Sequence, residues 1–245
     1  MKKTSNIFVH FLTMGFDLPS GSAFGYKLKK DIIIFLFIFF IIICIRIFPF
    51  SINIESKNMP ANLNIEDVNI LDRGLIFPYN KILDNIKYIL LAVALVLPII
   101  SPLSVKTKSK KKWLAYGLMY SQAFILTVGV RALKSVFYRY RPYMYFEEIL
   151  TYEELICNNS FPSGTALMAF LPAVFLSVTF SVEHPKSFWR IPIIFGSFVL
   201  AIIIAITRII SGTHFLTDLL FGAAVASFIG WLIPVLHKRT KIDEK

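Results

Sequence analysis

The sequence predicts an all-α protein, an integral-membrane bundle of about six transmembrane helices. The chain of 245 residues is 56% hydrophobic, and its mean hydropathy of +0.66 is too high for an ordinary soluble domain. Long apolar runs rich in Ile and Phe reach or approach the ~20 residues that a spanning helix needs. This length accommodates one compact bundle and not two sizeable domains.

The six runs are predicted at residues 32–50, 88–105, 113–133, 163–182, 191–210 and 214–236. The first carries one charge, Arg46, close enough to the helix end for its head group to reach the membrane surface. The second is uncharged, and Pro98 and Pro102 predict a kink in it. The last includes Asp218, which we expect to face the bundle interior because charge in lipid is costly.

The distribution of Lys and Arg predicts the orientation. The basic segments are residues 27–30, 106–112 and 237–245 and the connection that holds Lys186 and Arg190. All of them fall on one side if six helices run with both termini in the cytoplasm. The mixed-charge segment 51–87 then lies outside, where we expect a structural loop more than a cap over a site. This bias explains the net charge of +11 better than nucleic-acid binding, for which no motif is present.

We expect residues 1–30 to form a cytoplasmic N-terminal tail and residues 31–245 to form the transmembrane domain. The tail has no convincing cleavage pattern of a signal peptide. Cys44 falls in the first predicted helix and Cys157 in an outer loop, so we expect no disulfide between them. Because no Cys/His cluster has zinc-ligand spacing, we predict neither a metal nor another cofactor.

The most informative segment places Arg208, His214 and Asp218 between long apolar runs. On a helix, His214 and Asp218 would share one face and could pair. Arg208 lies across a Ser-Gly-Thr segment that is predicted to end the preceding helix. A histidine oriented by a carboxylate, beside a guanidinium that suits phosphate, favours nucleophilic attack on a phosphoryl group. Polar anchors at two helix ends would explain a single such residue about as well.

Two further segments favour anion binding. Lys134 and Arg141 are two helical turns apart, so both can reach one anion if the helix persists that far. Ser163, Gly164 and Thr165 follow a turn and open the next apolar run, where free N–H groups and the helix dipole favour an anion. The alternatives are interfacial anchors for the cations and a simple N-cap for Ser163.

The order Lys-x6-Arg-Pro, Pro-Ser-Gly and Arg-x5-His-x3-Asp resembles the type 2 phosphatidic acid phosphatase (PAP2) family, relatives of the vanadium haloperoxidases, over residues 134–218. The resemblance implies a lipid phosphatase in which His214 is the nucleophile, forms a phosphohistidine and is positioned by Asp218. The implied phosphate-binding residues are Lys134, Arg141, Ser163, Gly164 and Arg208. Arg139 falls outside the motifs, so we expect it to be a plain interfacial anchor.

Thr165 departs from the family pattern, which normally reads Pro-Ser-Gly-His. The family's His resembles a general acid for the leaving oxygen, and a Thr hydroxyl is far too weak an acid for this. The leaving group could be good enough to depart unassisted, as phosphate is from a lipid pyrophosphate. Alternatively, turnover could be weak or absent. A third explanation is another acid from a set that comprises Glu147, Glu148, Glu153, Glu154 and the Tyr residues of segment 143–154.

We therefore predict a membrane lipid phosphatase that acts on a phosphate or pyrophosphate at the extracytoplasmic face, in a bacterial inner membrane. The partners would be that lipid and the bilayer, with no nucleic acid. Candidate lipids are phosphatidic acid, phosphatidylglycerol phosphate, polyprenyl pyrophosphate and phosphorylated lipid A. The alternatives are a non-catalytic lipid-phosphate-binding protein and a phosphotransferase. A transporter is disfavoured, because the polar residues cluster at helix ends and not along a midplane path.

Overall fold

The computed structural model describes Phe24, Leu36, Phe40, Ile43 and residues 63–105, 110–135, 137, 139–146 and 159–238. Within these residues the regular secondary structure is helical. The long helices are α1 (Lys81–Val96), α2 (Lys110–Val130), α3 (Gly164–Glu183), α4 (Arg190–Ile210) and α5 (Leu216–Leu236). With their 3-10 extensions, these five helices of the described chain are long and apolar enough to cross a membrane. The predicted all-α bundle is confirmed.

Several predicted features lie outside the described residues. They are most of the first span at 32–50, the lysine-rich segment 106–109, Cys44, Cys157 and the tail 239–245. Within the first span, the three described positions Leu36, Phe40 and Ile43 are helical. Of residues 1–30 only Phe24 is described, and it is buried with its ring edge-to-face on Tyr116 at 5.8 Å.

Helix α1 begins at Lys81, so the predicted start at residue 88 was wrong. The side chain of Asn80 accepts a hydrogen bond from the backbone N–H of Leu83 at 3.1 Å and caps the helix. Asp84 and Lys87, in the first two turns, are tolerated because they pair inside the protein, as described below. The irregularity expected at Pro98 takes the form of a 3-10 turn, Leu97–Ile99, before a short helix to Ser104.

Helix α3 is the central helix of the described bundle. In its most apolar window 67% of the residues are buried, against 22–39% in the other four spans. It packs closely on α5, because Gly222 and Gly230 leave no side chain between the two backbones. A Cβ added at Gly222 would lie 2.9 Å from the carbonyl oxygen of Ser163, and one at Gly230 would lie 3.1 Å from that of Leu171. The N-termini of α3 and α5 are therefore held side by side.

The three motifs meet at one end of the bundle, where α2 and α4 end and α3 and α5 begin. The predicted helix break after Arg208 is confirmed: α4 ends at Ile210, and Gly212 takes a positive φ of 69°. The backbone there lies against the carbonyls of Phe77 and Pro78, which leaves no room for a Cβ at Gly212. The segment before α1 is thus packed onto the third motif.

Candidate functional site

A cavity of about 470 Å³ lies at this end of the bundle. Six of the predicted site residues line it: Lys134, Arg141, Gly164, Thr165, Arg208 and His214. The other two, Ser163 and Asp218, are buried next to residues that line the cavity. Ser163 is buried and caps α3 by accepting a hydrogen bond from the N–H of Ala166 at 3.3 Å, and Asp218 is buried beside His214. The fold therefore brings together residues that lie up to 84 positions apart in the sequence.

His214 does not share a helix face with Asp218, which corrects the helical pairing predicted from their spacing. His214 precedes α5, and Asp218 is the third residue of that helix. The Nδ1 atom of His214 lies 3.7 Å from Oδ2 of Asp218, beyond hydrogen-bond distance, and it has no hydrogen-bond partner among the described residues. Burial lowers the pKa of His214 to about 3, although Asp218 opposes this shift. The imidazole is therefore neutral at pH 7.

Asp218 is held by groups that the sequence did not indicate. Its Oδ2 accepts hydrogen bonds from Oγ of Ser160 at 2.5 Å and from the N–H of Phe215 at 3.0 Å. Its Oδ1 accepts one from the guanidinium of Arg139 at 2.6 Å. With these three donors the carboxylate is fixed in place next to the histidine ring.

Arg139 was expected to be a plain interfacial anchor, and this prediction was wrong. Its guanidinium bridges Asp218 and Asp72, at 2.6 and 2.7 Å, and lies 4.1 Å from the centre of the Phe215 ring. Burial lowers the pKa of Arg139, but the two carboxylates outweigh it and raise the pKa above its ordinary value. A possible signal was the spacing from Arg141, because residues two apart share one side of an extended segment.

Asp72 ties the segment before α1 to the site. It belongs to a single-turn helix, Ile70–Arg73, and is fully buried. It accepts hydrogen bonds from the N–H and the hydroxyl of Thr217, at 2.9 and 2.6 Å, besides its ion pair with Arg139. The described part of the predicted loop 51–87 is therefore packed onto the site, and three residues of the segment, Tyr79, Asp84 and Lys87, also line the cavity.

Lys134 and Arg141 converge without the continuous helix that their spacing had suggested. Helix α2 ends at Val130 and continues only as a 3-10 turn, Arg131–Ser135. Asn159 joins the two cations: its backbone oxygen accepts from Nζ of Lys134 at 2.5 Å, and its Oδ1 accepts from Nη2 of Arg141 at 2.8 Å. Burial lowers the pKa of Arg141. A phosphate would give both cations the counter-charge that Asn159 lacks.

Arg208 is 2% exposed and pairs with Asp84 of α1. The same carboxylate accepts a hydrogen bond from Lys87 at 2.8 Å. The Nε atom of Arg208 is buried without a hydrogen-bond partner in the described part of the chain. Asp84, Lys87 and Arg208 all line the cavity. We had assigned Asp84 to an outer loop, so this ion pair was missed.

Thr165, the second residue of α3, lines the cavity. Of the substitute acids considered above, the four glutamates lie outside the described residues, whereas Tyr143 lines the cavity. A cation that we had not singled out, Arg131, also lines it and lies against Gly164.

A helical bundle with membrane-spanning helices has, at one end, a buried histidine, a fixed carboxylate and converging cations around one cavity, which defines an integral-membrane protein with a cationic cavity. The family model of the PAP2 superfamily matches residues 111–242, more than half of the chain. The chain therefore belongs to the PAP2 superfamily.

One solved structure is similar over 84% of this chain and 95% of its own, with 18% sequence identity and a TM-score of 0.47. It is the first transmembrane PAP2-type phosphatidylglycerolphosphate phosphatase, from Bacillus subtilis. Comparison with curated proteins found no match.

Proposed function

We propose that this protein is a membrane lipid phosphatase that removes a phosphate or pyrophosphate group from a lipid through a phosphohistidine at His214. The observation that carries the proposal is the neutral, buried imidazole at the wall of a cavity shared with Lys134, Arg141 and Arg208. A phosphoryl group bound by these cations would lie within reach of a nucleophile that is not protonated at neutral pH.

In the proposed mechanism, the three cations and the N–H groups that open α3 bind the phosphoryl oxygens. Nδ1 of His214 faces Asp218, which leaves Nε2 to attack phosphorus. The N–P bond forms as the bond from phosphorus to the leaving oxygen breaks, and that oxygen departs with the electron pair. Asp218 stabilises the positive charge that the imidazole acquires. Water then cleaves the N–P bond and releases inorganic phosphate, which regenerates His214.

The direct test is phosphate release by purified protein from a panel of lipids. We would assay phosphatidic acid, phosphatidylglycerol phosphate, polyprenyl pyrophosphate and phosphorylated lipid A, and trap the intermediate with labelled substrate. The expected result is release from at least one lipid, with acid-labile label on the protein. The matched control is the His214→Ala variant, which should carry no label.

A binding protein without turnover is the second candidate, because Thr165 stands at the cavity wall where the family resemblance implies a proton donor. Saturable binding of these lipids with no phosphate release from any of them would favour it. A phosphotransferase would instead carry the label and pass it to an added acceptor faster than to water.

We further propose that the site faces the extracytoplasmic side, as the positive charge bias indicates. In a variant with Cys44 and Cys157 replaced by Ser, single cysteines would be placed at Ile70 and Phe188, which are both 82% exposed and near opposite ends of the bundle. An impermeant thiol reagent added to intact cells should modify position 70 and spare position 188. The reverse pattern would contradict the orientation.

A further inference from the structure

Along two of the helices that line the cavity, α1 and α3, the lining becomes apolar farther into the span. On α3, Met168 lies one turn farther into the span than Thr165, and on α1, Leu91 lies one turn farther than Lys87. The inner side is therefore apolar on these two helices, as a lipid chain requires. If the terminal phosphate of a lipid lies at His214, its leaving group lies between the polar end of the cavity and the apolar side.

Arg131 occupies this intermediate zone. It belongs to the same 3-10 turn as Lys134, three residues earlier and so one turn farther into the span. Its side chain lies against the backbone at the start of α3: a Cβ added at Gly164 would be 2.9 Å from its Nε. The guanidinium makes no hydrogen bond or ion pair with any residue that the structure describes. It is thus a cation beside Thr165 whose charge no described carboxylate neutralises.

The balance of charge favours a substrate with more than one phosphate. Five cations line the described cavity, Lys87, Arg131, Lys134, Arg141 and Arg208, against the single carboxylate of Asp84. Three of them meet the needs of one phosphoryl group in the mechanism proposed above. Arg131 lies on the lipid side of that group and has no part in it. Arg131 is also exposed, so a ligand in the cavity can reach its guanidinium.

We propose that Arg131 is a substrate-binding residue that holds the phosphate remaining on the lipid when a lipid diphosphate is cleaved. This inference rests on the proposed phosphatase function. His214 attacks the terminal phosphorus, and the bridging oxygen leaves with the electron pair as part of a lipid monophosphate. The added negative charge on that phosphate is stabilised by the guanidinium, so the step needs no proton from Thr165. Water then hydrolyses the phosphohistidine to inorganic phosphate.

The test compares farnesyl diphosphate with farnesyl phosphate, which differ by one phosphate on the same lipid. For Arg131→Gln we expect kcat/KM to fall about 10- to 100-fold on the diphosphate, the worth of one lost charged hydrogen bond, and less than about threefold on the monophosphate. Arg131→Lys should recover part of the loss. The control, Arg190→Gln, removes a half-buried arginine at the other end of the bundle, and both activities should persist.

Equal losses on both substrates, or no loss on either, would overturn the assignment and leave Arg131 a membrane-surface anchor. If the wild type cleaves neither lipid, the phosphatase proposal fails and binding decides the role of Arg131. Calorimetry measures the affinity of the protein for inorganic pyrophosphate and for inorganic phosphate, and this measurement needs no turnover. Arg131→Gln should weaken pyrophosphate binding about tenfold and phosphate binding little; equal weakening, or none, would reject the inference.

Discussion

His214 and His184 lie at opposite ends of the bundle, each next to a helix terminus, and their surroundings differ. Nε2 of His184 is within hydrogen-bond distance of the Ser104 hydroxyl, at 2.9 Å, and its ring packs on Phe180 with centroids 4.9 Å apart. His214 is 3% exposed, and its Nδ1 has no partner in the described chain. Leaving a buried polar atom unpaired costs about 1–3 kcal/mol. This energetic penalty applies to Nδ1 of His214 and does not apply to Nε2 of His184, which has a partner.

The charged residues at the two ends show the same contrast. Away from the cavity, Lys112 donates to the carbonyl of Val105 at 2.8 Å, and Tyr116 donates to Glu183 at 2.6 Å. Each of these hydrogen bonds joins two neighbouring helical segments, and each donor has an acceptor. At the cavity end, cations from α1, the 3-10 turn after α2, α4 and the loop before α3 surround one shared space. A polar helix end is therefore not by itself evidence of a site, whereas convergence on a space is.

The strongest test of this comparison replaces each histidine in turn. His214→Ala should lower phosphate release by at least about 10³-fold, because the covalent step is lost. His184→Ala should retain most of the activity, since its contacts are with Ser104 and Phe180 and lie far from the cavity. Rates would be measured on protein that elutes as a single species in detergent. Comparable losses in both variants would mean that the two histidines share a structural role.

The second prediction concerns Thr165 and the nature of the leaving group. Without a proton donor, the wild type should cleave lipid diphosphates much faster than alkyl phosphate monoesters, whose leaving oxygen is strongly basic. General acid assistance is worth about 10²–10⁴-fold, so Thr165→His should accelerate the monoester reaction most. Parallel assays of both substrate classes in both proteins measure this effect. Equal wild-type rates without a monoester gain would point to another donor, and Tyr143→Phe would then be the next variant.

The third prediction separates positioning from chemistry at Asp218. Asp218→Asn should lower kcat about 10²- to 10⁴-fold, because it removes the charge that stabilises and orients the imidazole. Arg139→Gln should lower kcat by about 10²-fold or less through misplacement of the carboxylate, with little change in KM because Arg139 does not line the cavity. Lys112→Gln, at the other end of the bundle, is the matched control for a lost buried cation. A rise in KM with constant kcat in Arg139→Gln would show that it binds substrate instead.

The motifs predicted which residues meet, because their positions at successive helix ends require Lys134, Thr165 and His214 to fall at one end of the bundle. The contacts that hold these residues in place were not predictable from the motifs. The pairing of Asp72 with Arg139 joins residues 67 positions apart, and such pairs depend on how the helices and the segment before α1 pack. The spacing of the His214–Asp218 pair was misleading, because α5 begins only at Leu216 and Phe215 before it is extended.

The smallest expected effect is that the His214 ring does not titrate near neutral pH. Since burial lowers the pKa of His214 to about 3, below its ordinary value near 6.5, the ligand-free protein should keep this ring neutral between pH 5 and 8. Between about pH 3 and 6.5 the unfolded chain binds a proton on this residue and the folded chain does not, so the stability that His214 contributes is full above about pH 6.5 and declines towards pH 3. The measurement is a pH series of nitrogen NMR spectra of histidine-labelled protein in detergent, with His214 assigned by its loss in His214→Ala. A midpoint between pH 6 and 7 for that resonance would show that the ring is solvated, which would remove the physical contrast between the two ends of the bundle.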